Sequence, residues 1–318
     1  MSAPLIGVGV PVWRGAAFVA ETLESVLNQR GVRFKLFVSI DGADADSERA
    51  CLPFASDPRV RIVVQPRRLG WVKNTAAVLA GASEQAEFVC VQPHDDLVET
   101  EYLATLLDTA RDHPHAAVVF SDLAAFGTAE GVISQESVIG TPMERQLVLL
   151  NRHFTAVAYR GLNRTSALKT VPPISGNNRD DFACDTVWMS RVARAGDLVR
   201  VPRVLYRKRY HPSSSHAEWA TRHRWQKVSA WVGHCLDMLA EALMVATSVE
   251  ERQLLIDAAR GRLWGKHMQI NHWGCKDPRQ IRQWALQIAF EAGAAIRSDI
   301  GPLGFHGITK GSAASGAV

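Results

Sequence analysis

The feature that most constrains the fold is an alternation running through the first 123 residues. Short apolar runs of β character occur at LIGVGVPV (5–12), FKLFVSI (34–40), RVRIVVQ (59–65), EFVCVQ (87–92) and AAVVFSDL (116–123). Between them lie stretches of helical pattern: AAFVAETLESVLNQ (16–29), WVKNTAAVLAGA (71–82) and ETEYLATLLDTARD (99–112). In the first of these, Phe18, Leu23, Val26 and Leu27 fall on one face at helical spacing. Strand–helix–strand alternation predicts an α/β domain whose mostly parallel sheet is covered by helices on both faces. Sheets of that kind bind ligands beyond the carboxyl ends of their strands. The residues that follow each apolar run are therefore the ones to read for chemistry.

After the first run come Pro11, Val12, Trp13, Arg14 and Gly15, and after the second Asp41, Gly42, Ala43 and Asp44. The third is followed by Pro66, Arg67, Arg68, Leu69 and Gly70, with Lys73 just beyond, and the fourth by Pro93, His94, Asp95 and Asp96. Singly, each has a bland explanation. Asp41 opens an Asp-Gly turn, Arg67, Arg68 and Lys73 are ordinary solvated cations, and Asp96 suits a helix N-cap before LVETEY. His94 beside two acids is more commonly a hydrogen-bonding neighbour than a metal ligand. Together on one rim they suit a nucleoside diphosphate. Such a ligand needs an acceptor for its base, cations for its phosphates and hard oxygen ligands for a divalent ion.

Composition narrows the partners. A formal charge of +4 over 318 residues is too mild to argue for nucleic acid, and no nucleic-acid motif is present; it suits an anionic small molecule. The five cysteines (Cys51, Cys90, Cys184, Cys235 and Cys275) are scattered without a CxxC pair. Neither a disulfide framework nor a zinc cluster follows, and a reducing cytoplasm is expected. The N-terminus MSAPLIGVGVPVW lacks the basic region of a signal peptide. No apolar run reaches the roughly 18 uncharged residues of a membrane span.

Beyond residue 123 the pattern loosens. A strand is expected at HFTAVAYR (153–160), a loop at SGNNRDDFACD (175–185), a helix at TVWMSRVARAG (186–196) and a strand at DLVRVPRVLYRKR (197–209), then the turn YHPSSSH (210–216). From 217 onward the pattern is helical. Trp219, Trp225, Trp231, Trp264, Trp273 and Trp284 on those helices are read as packing against the core or a partner subunit. RHRWQK (222–227) offers a minor option of contact with anionic lipid. The closing GSAASGAV has no apolar periodicity and is expected to be disordered.

VGVPVWRGAAFVAETLESVLNQ (8–29), FVSIDGADADS (37–47), LGWVKNTAAVLAGA (69–82) and FVCVQPHDDLVE (88–99) resemble, in order, the successive motifs of a family 2 glycosyltransferase. CDTVWMSRVARAG (184–196) and VPRVLYRKRYHPSSSH (201–216) extend the resemblance to about two-thirds of the chain. It implies the GT-A nucleotide-sugar-binding fold. Residues 1–216 would form the catalytic unit, with a nucleotide-binding half at 1–123 and an acceptor-binding half at 124–216. A helical extension would span 217–300 and a tail 301–318. It further implies that Pro11 and Trp13 line a nucleobase pocket, that Asp41 accepts from the base, and that Lys73 meets a phosphate, with Arg68 added to the donor site as a cation of the same rim. Asp95, with Asp96 as its acidic neighbour, takes the metal motif, and His211 contacts the diphosphate or the metal. Asp185 is the implied general base, with Asp180 and Asp181 as rivals. Three departures stand out: Pro93 replaces the first acid of the Asp-x-Asp motif, Cys184 replaces the Glu of a Glu-Asp pair, and Ile40 stands where an acid precedes Asp41.

The resemblance implies transfer of a sugar from a nucleotide-sugar to an acceptor hydroxyl, with inversion, Asp185 as base and Mn²⁺ or Mg²⁺ as cofactor. UDP is the favoured nucleotide, with dTDP and GDP open, and the acceptor is a saccharide, a lipid-linked group or a small molecule. A homo-oligomer or peripheral membrane contact through the C-terminal helices is the expected association, at the cytoplasmic face. Loss of the first motif acid motivates an alternative, a catalytically silent nucleotide-sugar-binding or scaffolding protein. A nucleotidyltransferase fits less well, because VPVWRGAAF supplies one Gly and one Arg where a Gly-rich phosphate loop is needed.

Overall fold

A computed structural model of the chain describes residues 3–152, 156–214, 218–219 and 221–264. Expectations for Trp273, Trp284, Cys275 and the GSAASGAV tail lie outside the described residues.

The first half follows the alternation. In chain order come β1 (Leu5–Val12), α1 (Val19–Leu27), β2 (Arg33–Ile40), α2 (Ala45–Cys51), β3 (Val60–Val64), α3 (Trp71–Ser83), β4 (Phe88–Val91), β5 (Leu97–Val98) and α4 (Tyr102–Asp112). The long strand β6 (Ala116–Gly127) follows, then β7 (Gly131–Ile133), α5 (Pro142–Asn151), β8 (Leu162–Arg164), α6 (Thr165–Leu168), α7 (Cys184–Ala195), β9 (Asp197–Tyr210), α8 (Arg224–Leu243) and α9 (Val249–Trp264).

All elements of β character join one sheet, ordered β3-β2-β1-β4-β8-β6-β9-β5, with β7 on the flank of β6. The β3-β2-β1-β4 portion is parallel, whereas β8 runs antiparallel to both β4 and β6. β1 lies centrally, and Ile6, Val8, Val10 and Val12 are almost wholly buried, as a strand covered on both faces requires. Two glycines of β1 admit α3 directly onto the sheet. A Cβ on Gly7 would stand 2.0 Å from the Ala82 carbonyl oxygen, and one on Gly9 would press on Val78 at 2.9 Å.

The second half is organised by β9. It runs parallel to β6 with a register shift at Ser121 and Asp122. Its far end also pairs antiparallel with β5, setting Leu97 opposite Arg207 and Val98 opposite Tyr206. That pairing draws the residues just before β5, Asp95 and Asp96, against the end of a strand more than a hundred residues later.

The strand expected over 153–160 is corrected for its described part. Ala158–Arg160 is a 3₁₀ turn and the strand begins only at Leu162. The turn exists because the Tyr102 hydroxyl donates to the Arg160 carbonyl at 2.6 Å while the Arg160 side chain swings to Asp96. Among the described residues no helix is long and apolar enough to cross a membrane. Cys51, Cys90, Cys184 and Cys235 are buried free thiols.

Candidate active site

The loops after β1, β2 and β3 interlock at the carboxyl edge of the parallel strands. Arg14, on left-handed backbone (φ 49°), donates its N–H to Asp44 at 2.6 Å, and the Gly15 N–H reaches Ser47 at 2.9 Å. The indole of Trp13 lies beneath the Arg68 guanidinium, 4.1 Å from the ring centroid, with Arg14 at 5.4 Å. Arg67, Arg68 and Lys73 are exposed, Lys73 on the first turn of α3. Asp41 is placed differently from the expectation. It is 1% exposed and its two oxygens accept from the N–H groups of Leu69 and Gly70 at 2.5 and 3.0 Å. Its geometry is that of an anchor for the cationic 66–70 loop, and no carboxylate oxygen is turned outward for a base.

The paired acids after β4 divide. Asp96 is 1% exposed, and its carboxylate accepts from Arg160 Nε at 3.0 Å, the Tyr206 hydroxyl at 2.9 Å and the Arg209 N–H at 2.8 Å. Three donors take three of the roughly four lone-pair sites of this buried carboxylate, so Asp96 is tied into the interior, and it precedes a strand, not the helix of the N-cap explanation. Burial lifts the Asp96 carboxyl above its usual range, with Arg160 opposing. Arg160, which burial alone would lower, is held above the ordinary guanidinium range by Asp96 and Tyr206.

Asp95 instead faces outward, and its Oδ2 meets His211 Nε2 at 3.1 Å. His211 is oriented by Ser213 Oγ at 2.9 Å and by the ring of Phe18 at 4.8 Å. Arg209 secures the neighbourhood: its Nε donates to the Asp95 carbonyl at 2.9 Å, it pairs with Glu21, and it stacks between Phe18 and Phe126. His94 faces away from this pair. Its Nδ1–H donates to the Pro11 carbonyl at 3.1 Å, joining the first and fourth loops.

Asp185 lies in the first turn of α7, with its Oδ1 accepting from the Thr186 N–H at 2.8 Å. Burial raises its carboxyl above the ordinary range, and Arg160, the Thr186 amide and Lys208 oppose that rise. Lys208 lies over the Tyr210 ring at 4.7 Å, and burial together with Arg160 lowers its ammonium to about 8 against the pull of Asp96, Asp185 and Asp95. The rivals have other engagements. Asp181 accepts from the Asn177 N–H at 3.0 Å and Asp180 pairs with Arg222 at 3.3 Å.

Asp95 meets His211, and Asp95, Asp96 and Asp185 all act on Lys208, as Asp96 and Asp185 do on Arg160; the sequence reading missed both cations. Arg160 carried one readable sign, a lone charge within the apolar AVAYRGL, which demands a buried partner. The residues present suit a small divalent cation: one carboxylate oxygen and one imidazole nitrogen converge, leaving the other positions to phosphate oxygens and water. Among the described residues no group of three or more ligating side chains exists, so a metal here depends on its substrate for ligands.

Comparison with known proteins bears on the fold and the family. Over 93% of the chain and 81% of the other, the structure is similar to S. aureus TarS 1-349 in complex with UDP-GlcNAc, with a TM-score of 0.66 and 16% identity. It is similar at TM-score 0.53 and 16% identity to the mannosyltransferase PcManGT from Pyrobaculum calidifontis in complex with GDP-Man and Mn²⁺, over 93% of this chain and 87% of that one. In sequence it is 29% identical over 124 residues to the uncharacterized protein y4gI of Sinorhizobium fredii, a match spanning 37% of the chain and only 13% of that protein. Residues 8–170, just over half of the chain, match the family described as glycosyl transferase family 2. The chain therefore belongs to glycosyl transferase family 2 and has the GT-A fold.

Proposed function

We propose that the chain transfers a sugar from a nucleoside-diphosphate sugar to an acceptor hydroxyl with inversion. The observation that carries this is the contact of Asp95 with His211, from stretches 116 residues apart, together with Lys208, on which both Asp95 and Asp185 act. The catalytic unit is residues 1–216, with the helices after 217 as an extension. The base packs against Trp13 beside Arg68, and the diphosphate runs along the edge between Lys73 and Lys208. UDP is the favoured nucleotide; relatives of the same fold have been seen with UDP, UDP-GlcNAc and GDP-Man, which supports a nucleotide-sugar donor.

Asp185 accepts the proton of the acceptor hydroxyl as its oxygen bonds to the anomeric carbon and the bond to the diphosphate oxygen breaks. A carboxyl lifted by burial is a more competent base near neutral pH than an exposed one. Lys208 and Arg160 hold positive charge where negative charge gathers on the leaving group. Asp95 and His211 would hold Mn²⁺ or Mg²⁺, which when bound would supply neutralisation of the diphosphate.

The test is a thermal-shift series of UDP, dTDP and GDP with and without Mn²⁺, followed by assay of nucleotide release from the matching UDP-, dTDP- or GDP-sugars. A metal-dependent shift for one base, and release of that nucleotide from its sugar, are the expected results. A shift without any release, across acceptors of all three classes, would favour the silent-binding alternative that the Pro93 substitution motivates. No shift for any nucleotide would remove the donor assignment.

A further inference from the structure

The loop leading into Asp185 adopts a backbone its own residues do not favour. Asp180, Asp181 and Ala183 all occupy the left-handed region, with φ of 53°, 55° and 53°. Asp enters this region more readily than most residues and Ala seldom does, and three such residues within four persist only where their surroundings impose the conformation. Part of the imposition is internal. The Asn177 N–H donates to Asp181 Oδ1 at 3.0 Å, Asn177 Nδ2 to the Phe182 carbonyl at 3.0 Å, and the Arg179 N–H to Asn177 Oδ1 at 2.9 Å.

The rest comes from α8 and the segment just before it. The Arg179 guanidinium pairs with Asp237 and lies flat over Gly233, where a Cβ would stand 2.1 Å from Arg179 Nε. Asp180 pairs with Arg222 at 3.3 Å, and Phe182 stacks on Trp219 at 4.6 Å with His234 edge-on at 6.0 Å. Beyond Asp185, α7 is tied to the same helix: Arg191 and Arg194 both reach Glu241, at 2.7 and 3.2 Å. Asp237 and Glu241 are one helical turn apart on α8. The candidate base therefore lies between two ionic ties to successive turns of a single helix.

We infer that α8 is a strut for the base, and that Arg179 is a positioning residue which fixes where Asp185 stands through the strained 177–183 loop. This rests on Asp185 being the base, and it goes beyond the family match, which ends at residue 170. It gives the C-terminal helices a part in the reaction, since without the Arg179–Asp237 tie the left-handed residues can relax and carry Asp185 away from the acceptor.

The test compares Arg179→Ala, Arg179→Lys and Asp185→Asn in the full chain, assayed well below their melting temperatures. Arg179→Ala should lower kcat about 10- to 100-fold, the scale of a small misplacement of a catalytic group, while donor KM stays within about twofold. The acid limb of its kcat–pH profile should move to lower pH, because a loosened Asp185 regains solvent. Arg160, Lys208, Tyr159 and Cys184, which face Asp185, are unchanged in that variant. Arg179→Lys, which keeps the charge for Asp237, should recover part of both. If Arg179→Ala melts below the assay temperature, Gly233→Ala serves in its place, since it crowds the guanidinium without removing it. A wild-type kcat and pH limb in the Arg179 or Gly233 variant, with transfer abolished in Asp185→Asn, would overturn the strut and leave the base standing. Transfer at the wild-type rate in Asp185→Asn would instead overturn the base itself.

Discussion

The two halves of the site are built by opposite means. On the nucleotide side, each contact joins a loop to another loop of the same parallel array: Asp41 to residues 69 and 70, Asp44 to residue 14, His94 to Pro11. The reacting groups there are exposed cations and one indole, and strand order alone places them. On the chemical side Asp96 is buried and its charged neighbours are partly so, and they come from distant elements, among them β9, whose end returns to pair with β5. Arg160 and Tyr206, 64 and 110 residues from Asp96 in sequence, satisfy its carboxylate, and His211 comes from 116 residues away to reach Asp95. An open edge can tolerate changes in its loops one at a time. A buried charge network cannot, because removing one partner leaves another charge without compensation.

The difference is broken most severely at Asp185. Asp185→Asn should lower transfer about 10²- to 10⁴-fold, the range of a general base, while donor affinity measured by calorimetry changes little. Its effect on stability should have the opposite sign. The folded carboxyl is raised above its ordinary value of 3.8 by burial. Its contribution to stability is therefore fully present below that value and is lost as pH rises through the folded value. At neutral pH the Asn variant should melt higher than wild type, with the gap closing as the pH falls into the ordinary carboxylate range. An Asn variant that melts lower at pH 7 would show that the carboxylate is not strained there.

The second break is at Arg160. Arg160→Met keeps the packing volume but strands Asp96, whose side chain is 2% exposed. The expected loss is about 3–5 kcal/mol in urea unfolding, most of it recovered when Asp96→Asn is added. Additive losses in that double-mutant cycle would mean that the pair is not coupled.

The same contrast decides how much could be read in advance. Period and apolar runs placed every strand of the parallel half, because those strands are local patterns buried on both faces. Trp13, Arg68 and Lys73 could be placed at the strand-end rim in advance because each follows an apolar run. Arg160, Lys208 and Tyr206 were not, since their meaning comes from partners on other elements, and no periodicity records that β9 pairs with β5. Asp41 and Asp96 mark the limit from the other side. Both stand at positions that suit a ligand, and both are consumed by neighbours: loop amides for one, Arg160, Tyr206 and the Arg209 amide for the other.

Asp95 lies on the border between the two regions and should show an intermediate effect. Asp95→Asn removes a charge that is only partly buried and leaves the Asp96 network intact, so stability should change less than in Arg160→Met. The Mn²⁺-dependent part of nucleotide binding should weaken about 10- to 100-fold, on the scale seen when metal sites lose supporting groups. His211→Ala should weaken the same part, and the double variant should add little if both hold one ion. Metal dependence that survives both changes would place the ion elsewhere.

The smallest effect should come from the nucleotide edge, and it sharpens the contrast because it is expected to be additive. Arg68 lies 4.1 Å above the Trp13 ring and is exposed, so the cation–π contact contributes about 0.5–1 kcal/mol. Arg68→Ala should weaken nucleoside diphosphate binding only about two- to fivefold, without changing the urea midpoint, and more so at low ionic strength because an exposed charge is screened by salt. Combined with Arg160→Met, the stability loss should equal that of Arg160→Met alone. A large stability loss from Arg68→Ala would mean that the cationic loop held by Asp41 is part of the fold's cooperative core, and the division between an open nucleotide edge and a buried chemical half would fail.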